Sequence, residues 1–182
     1  NLRLISGYPI AEGYKDYAAF GIRINFADPI LLSDLNIAAS YVPNVRLKQN
    51  ERFHGTFHYH SWRWRFSGTY NGADFYDLFG PTKTSRKGYS LALQYRDFLV
   101  FDEPKTMDYS VTLAGYGGLE RLPDFQNVRA SFDKFLTLNG KVNYQYYLKS
   151  LGAVDDEKGV RWQIISFNTY VREKIFPRVL GI

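Results

Sequence analysis

Hydrophobic and polar residues alternate along this chain for about ten residues at a time, and the alternation restarts after each turn signal. From Ala18 to Phe26 the even positions are Ala18, Phe20, Ile22, Ile24 and Phe26, while Ala19, Gly21, Arg23 and Asn25 stand between them. A period of two puts these sets on opposite faces of a strand, one oily and one polar. Ten or so residues is also roughly what a tilted strand needs to cross a hydrocarbon core. The pattern predicts an all-β chain, an antiparallel up-and-down meander of about ten or eleven strands that forms an outer-membrane β-barrel or part of one.

Composition agrees with this expectation without forcing it. No run of about eighteen apolar residues marks a membrane helix, and strands with one lipid-facing and one lumen-facing side average to an unremarkable hydropathy. Fifteen Tyr, fourteen Phe and three Trp suit two interfacial aromatic girdles. They suit equally the alternative, a soluble aromatic-rich β-sandwich or barrel that binds carbohydrate through Trp62 and Trp64. Cysteine is absent, which excludes a disulfide framework and thiolate metal sites. The net charge of +5 is interleaved with aromatics rather than gathered in a block, so nucleic acid is not an expected partner. No linker, low-complexity tract or solenoid period interrupts residues 1–182, which read as a single barrel domain or barrel segment. Asn1 is neither an initiator Met nor the start of a signal peptide, as expected of a processed or excised segment.

Strands are expected at Leu2–Tyr8, Tyr17–Phe26, Asp34–Tyr41, Arg52–Tyr59, Trp62–Tyr70, Tyr89–Arg96, Met107–Tyr116, Val128–Leu138, Lys141–Lys149 and Val160–Tyr170, with a last one from about Lys174. The oily parity is odd through Phe53, Phe57 and Tyr59 but even through Trp62, Trp64 and Phe66, which places a tight reversal at His60 and Ser61. Asn139-Gly140 has the composition of a second two-residue hairpin. Longer connections are expected at Pro9–Lys15, Pro43–Asn50, Asn71–Lys87, Gly117–Asn127 and Ser150–Gly159, with shorter ones between them. Long loops on one side and short turns on the other are the asymmetry of outer-membrane barrels, and put Asn1 on the periplasmic side.

Three stretches carry a family resemblance: NGADFYDLFGPTKTSRKGYS at Asn71–Ser90, GYKDYAAFGIRINFADP at Gly13–Pro29 and SLGAVDDEKG at Ser150–Gly159. They resemble bacterial proteins in which a periplasmic β-propeller precedes an outer-membrane barrel of the surface-antigen type, a family that includes barrel-assembly and two-partner-secretion translocators. The resemblance covers nearly the whole chain and corresponds to the first half of the barrel. It implies bacterial outer-membrane localisation, a translocation or assembly role and a propeller partner in the same parent chain. The family's arginine motif, on a late extracellular loop that plugs the barrel, has no counterpart here, as expected of a chain that stops before that loop. Strands cut from a larger barrel leave open edges, which implies possible self-association through them.

No GxSxG, Walker loop, HExxH or cysteine nucleophile occurs, so no catalytic centre and no cofactor are expected. His54, His58 and His60 share one strand face but lack a nearby acidic or thiol ligand, and read as polar lining rather than a metal site. Asp155, Asp156 and Glu157 lack the alternate spacing of a calcium loop and read as a solvated turn; lipopolysaccharide and lipid are the partners the resemblance implies there. The candidate lumen-facing charges are Arg23, Asp34, Arg63, Arg65, Arg96 and Asp108, read as a scaffold of cross-strand pairs, with an anion-selective wall as the alternative. Asp74, Phe75, Tyr76, Asp77 and Phe79 form a candidate loop plug, apolar enough to fold over a barrel mouth.

Overall fold

The computed structural model describes residues 1–30, 32–72, 76–77, 84–85, 87–119, 133–152, 154–155, 157–171 and 174–181, with only the backbone at 76–77, 84–85 and 174. Twelve strands follow in chain order: β1 (Arg3–Tyr14), β2 (Tyr17–Ala27), β3 (Ser33–Tyr41), β4 (Phe53–Ser61), β5 (Trp64–Tyr70), the short pair β6 (Tyr76–Asp77) and β7 (Thr84–Ser85), then β8 (Tyr89–Asp102), β9 (Lys105–Gly117), β10 (Phe135–Leu148), β11 (Lys158–Val171) and β12 (Lys174–Gly181). All but β6 and β7 form one sheet of ten strands, and every neighbouring pair is antiparallel and consecutive in the chain except β5 and β8, between which β6 and β7 lie. The meander is the expected all-β architecture. It is open: among the described residues β1 and β12 each leave one edge unpaired, and no second sheet packs on either face, so this is not a sandwich.

Several boundaries differ from the sequence expectation for identifiable reasons. Asn139-Gly140 is not a hairpin. β10 runs straight through it, with Asn139 paired to Thr112 and Phe167 and Gly140 to Val111 and Ser166. Leu136 and Leu138 before it and Val142 and Tyr144 after it all keep the even parity, whereas a two-residue turn would have carried Lys141 onto the oily face. With one strand fewer than expected, the connection 149–157 joins the short turns instead of the long loops.

The reversal expected at His60-Ser61 lies at Trp62-Arg63, because Ser61 pairs with Trp64 and Tyr59 with Phe66. Parity fixes a register only to the nearest two residues, and both turns preserve it. Pro9, expected to open a loop, lies inside β1, which continues to a tight turn at Lys15-Asp16. Edge strands tolerate proline because one side has no ladder to break, and Pro177 occupies the other edge in β12.

The connections sort by end. The end carrying 42–52, 71–88 and 118–134 is the long-loop end, and the opposite end has 28–32, 62–63 and 103–104. At the long-loop end Tyr14, Ala19, Val42 and Leu47 form the one buried apolar cluster among the described residues, with Tyr17 packed against it. Lys15 holds Glu51 of the short 3-10 turn Gln49–Glu51 at 2.5 Å. Close strand approach here requires a glycine: a Cβ on Gly21 would lie 1.9 Å from the Ala39 carbonyl oxygen and 2.5 Å from Ser40 Cα. A Cβ on Gly13 would meet nothing within 4 Å. Gly21→Ala is therefore expected to lose about 1–3 kcal/mol by overpacking against backbone, while Gly13→Ala stays near the native value. Urea unfolding of both variants in one and the same medium checks this, and equal midpoints for the two would contradict it.

Candidate functional site

The ladder register settles which side chains share a face. On one face, Phe20 pairs across to Tyr41 and Tyr41 to Phe53, while Tyr70 pairs to Tyr89, so aromatic residues line the long-loop border. Toward the short-turn end Trp64 pairs to Tyr95 and Tyr144 to Trp162, with Tyr59 and Tyr109 in the same zone. Ring contacts knit this second row together: Trp64 to Tyr95 at 4.7 Å, Tyr95 to Tyr109 at 6.1 Å and Tyr144 to Trp162 at 5.4 Å. Between the two rows lie aliphatic side chains, among them Ile22, Ile37, Leu91, Leu93, Leu113 and Leu138. This face is uncovered, with Phe20 59% and Leu91 61% exposed. Phe20, Ile22 and Ile24 stand on it, and Arg23 and Asn25 on the other, as their parity predicts.

Glycines shape the apolar face as well. Phe57 is paired with Gly68 and Tyr89 with Gly117, and in each pair the ring lies where a glycine Cβ would be. Trp62 and Trp64 do not share a face: Trp64 stacks on Phe66, whereas Trp62 occupies the turn, so a joint sugar platform is not formed.

The opposite, polar face is laced across the strands. Arg96 Nε donates to Asp108 Oδ2 at 3.2 Å, Asn143 Nδ2 donates to the same oxygen at 3.1 Å, and Gln163 Nε2 donates to Asn143 Oδ1 at 2.5 Å. This row crosses β8, β9, β10 and β11. A second row joins His60 to Asp34 at 3.1 Å, and Asn36 Nδ2 donates to Asp34 Oδ2 at 3.1 Å. Of the expected lumen-facing charges, Asp34, Arg96 and Asp108 are thus paired across strands, and Arg23 and Arg65 share their face without an ion pair among the described residues. Arg63 differs: it sits in the β4–β5 turn and reaches Asp97 at 2.9 Å. The alternation fails toward the C-terminal edge, where Ile165, Phe167, Phe176 and Leu180 fall on the polar side and Ser166 and Asn168 on the apolar one.

His54, His58 and His60 all lie on the polar face, but His54 and His60 serve separate partners, and among the described residues no three metal-type ligands gather. His54 is 5% exposed; its Nδ1 donates to the Asn71 carbonyl at 2.5 Å and its ring packs 4.2 Å from Tyr14. Asn71 is the functional-looking residue that the sequence did not single out. Buried and at φ 48°, it donates from Nδ2 to the Asn50 and Phe53 carbonyls and exchanges two hydrogen bonds with Gly88. Asparagine tolerates the left-handed region, and that was the only available signal. Asp74, Phe75 and Phe79 of the candidate plug lie outside the described residues; Tyr76 and Asp77 form β6, paired with Thr84 and Ser85. Asp156 likewise lies outside them, and Ser150 donates to Glu157.

At the short-turn end the sheet carries a cavity of about 560 Å³ that brings together Arg63, Arg65 and Arg96 with Trp62, Phe98 and Phe101. Its turn is pinned from both sides: the Trp62 amide donates to the Leu32 carbonyl at 2.8 Å, and the Arg96 amide to the Arg63 carbonyl at 2.9 Å. These bonds hold Trp62 at φ 46°, a region that bulky side chains rarely adopt. No family model, no curated protein and no solved structure matches this chain.

The Arg96–Asp108–Asn143–Gln163 row is expected to matter through its hydrogen bonds more than its charge, since Arg96 is half exposed and exposed ion pairs contribute little. Asp108→Ala removes the acceptor shared by two donors and should cost about 1–3 kcal/mol, with Asp108→Asn costing less. Thermal unfolding of both in the same detergent measures it. A native midpoint for Asp108→Ala would show that the row contributes nothing.

Proposed function

We propose that this chain is a length of bacterial outer-membrane β-barrel wall whose apolar face meets lipid and whose polar face lines the interior. The observation that carries the reading is the banding of one uncovered face, aliphatic in the middle and aromatic at both borders. From Tyr89 to Tyr95 is six strand steps, and from Trp162 to Tyr170 eight, which along the strand is about 20 to 27 Å. Outer-membrane barrels carry an apolar band about 25 Å tall between aromatic girdles. Covering ten such half-exposed side chains gains on the order of 10 kcal/mol, comparable with the whole net stability of a small domain. An apolar partner fits this face, and lipid fits its aliphatic centre and aromatic borders.

Within that reading the chain serves as a membrane-embedded scaffold or as a translocation and assembly module of the surface-antigen type. The stretches quoted above support the second, finer assignment by resemblance alone. The cross-strand polar rows support the scaffold, because they hold strands to one another instead of leaving a free charged channel. The open edges of β1 and β12 offer unpaired amides to further strands, from the same parent chain or from a second copy.

Paired substitutions on neighbouring residues test the orientation. Leu93→Arg places a guanidinium in the aliphatic band and should weaken folding into phosphatidylcholine vesicles by about 2–4 kcal/mol. Ala92→Arg, one residue away on the polar face, should fold nearly as the native chain does. A native chain that is monomeric in buffer without detergent, with both variants behaving alike, would overturn the membrane reading.

A further inference from the structure

Phe98 and Phe101 break the rule that governs the rest of their strand. They stand on the polar face opposite Asp108 and Thr106, with ring centroids 5.0 Å apart, yet remain 48% and 72% exposed. Across the cavity, the indole of Trp62 is 62% exposed. Arg63 and Arg96 in the same cavity already have carboxylates, Asp97 and Asp108, whereas Arg65 has none among the described residues. Exposed rings beside an uncompensated guanidinium are complementary to a molecule built of the same two halves.

We propose that this cavity binds an amphipathic phosphate, with the oxyanion on Arg65 and the apolar body laid on Phe98, Phe101 and Trp62. A guanidinium presents a planar fork of donors that matches the oxygens of a phosphate, and because Arg63 and Arg96 keep their carboxylates, Arg65 supplies the charge that the ligand meets. Arg96 also lies 5.9 Å from the Phe98 ring, which holds cation and ring side by side. About 560 Å³ is within the usual size of small-ligand sites, roughly 300–1,000 Å³. The turn that presents Trp62 is fixed on both sides by backbone hydrogen bonds, so binding costs little ordering. Asp97, on the side of Tyr95 and Tyr109, also lines the cavity, but the proposed ligand contacts are Arg65, Phe98, Phe101 and Trp62, and they do not rest on lipid covering the apolar face. The phosphate has two possible sources, a bilayer lipid headgroup or a free molecule.

The test uses the full chain in a neutral sugar detergent, titrated calorimetrically with phenyl phosphate, inorganic phosphate and phenol. A second arm compares thermal midpoints in phosphatidylcholine nanodiscs with and without phosphatidate. Phenyl phosphate is expected to bind at least about tenfold more tightly than either half alone, and Arg65→Gln to lose about tenfold. Phe101→Ala, at an exposed ring that the fold does not need, should bind inorganic phosphate like the native chain while losing the advantage of the phenyl group. Stabilisation by phosphatidate that disappears in Arg65→Gln, without phenyl phosphate binding, assigns the site to a lipid headgroup and sustains the proposal. Phenol binding as tightly as phenyl phosphate, or Arg65→Gln equal to native in both arms, overturns it.

Discussion

Everything here depends on the backbone ladder. With ten strands in a single sheet and no α-helix among the described residues to cover them, the amides away from the two outer edges find their partners in neighbouring strands, and each strand side chain is committed to one face or the other. A single layer has no interior to hide in. The small buried cluster around Tyr14 and Val42 cannot hold such a sheet by apolar burial, so the two faces must each find their own solvent. That constraint explains why most strands are so strictly patterned, with exceptions at the C-terminal edge and at the short-turn end of β8.

Much of this was legible in the sequence, and the misses share a cause. The oily sets on β2, β3, β8 and β9 could be read directly, because alternation with a period of two is a local property. Turn positions could not. His60-Ser61 and Trp62-Arg63 give the same faces, so only the cross-strand partners distinguish them. Asn139-Gly140 misled because local turn chemistry was weighed above a parity that ran unbroken through it. Of the site residues, Arg65, Arg96 and Asp108 were placed on their face by the same arithmetic, but Arg63 in its turn, the aromatic reversal at Phe98 and the clamp at Asn71 depend on contacts between segments distant in the chain.

The two ends of the sheet do different work. At the long-loop end, Asn71 ties the starts of β4 and β8 to the connection 42–52, donating to the Asn50 and Phe53 carbonyls and accepting from the Gly88 amide, so the loops there are anchored to the ladder. At the short-turn end 62–63 and 103–104 are two-residue turns, and polar and aromatic side chains are concentrated around one cavity. Between the ends, the row from Arg96 to Gln163 resolves the ambiguity that parity leaves: a slip of two residues would keep every face correct and still separate Asp108 from Asn143.

The order of the strands has a kinetic consequence. Since each strand of the sheet pairs only with the strands of that sheet before and after it in the chain, the sheet can grow by adding one strand at a time to an existing edge. No step must wait for a distant segment, and the entropy of closing each connection rises only with the logarithm of its length. Central strands of many sheets must be threaded between partners laid down earlier; here the growing edge is always free until the next strand arrives. The cost is that the edge is sticky at every stage, and Pro9 and Pro177 interrupt the donor rows of the first and last strands of the sheet, where that stickiness persists.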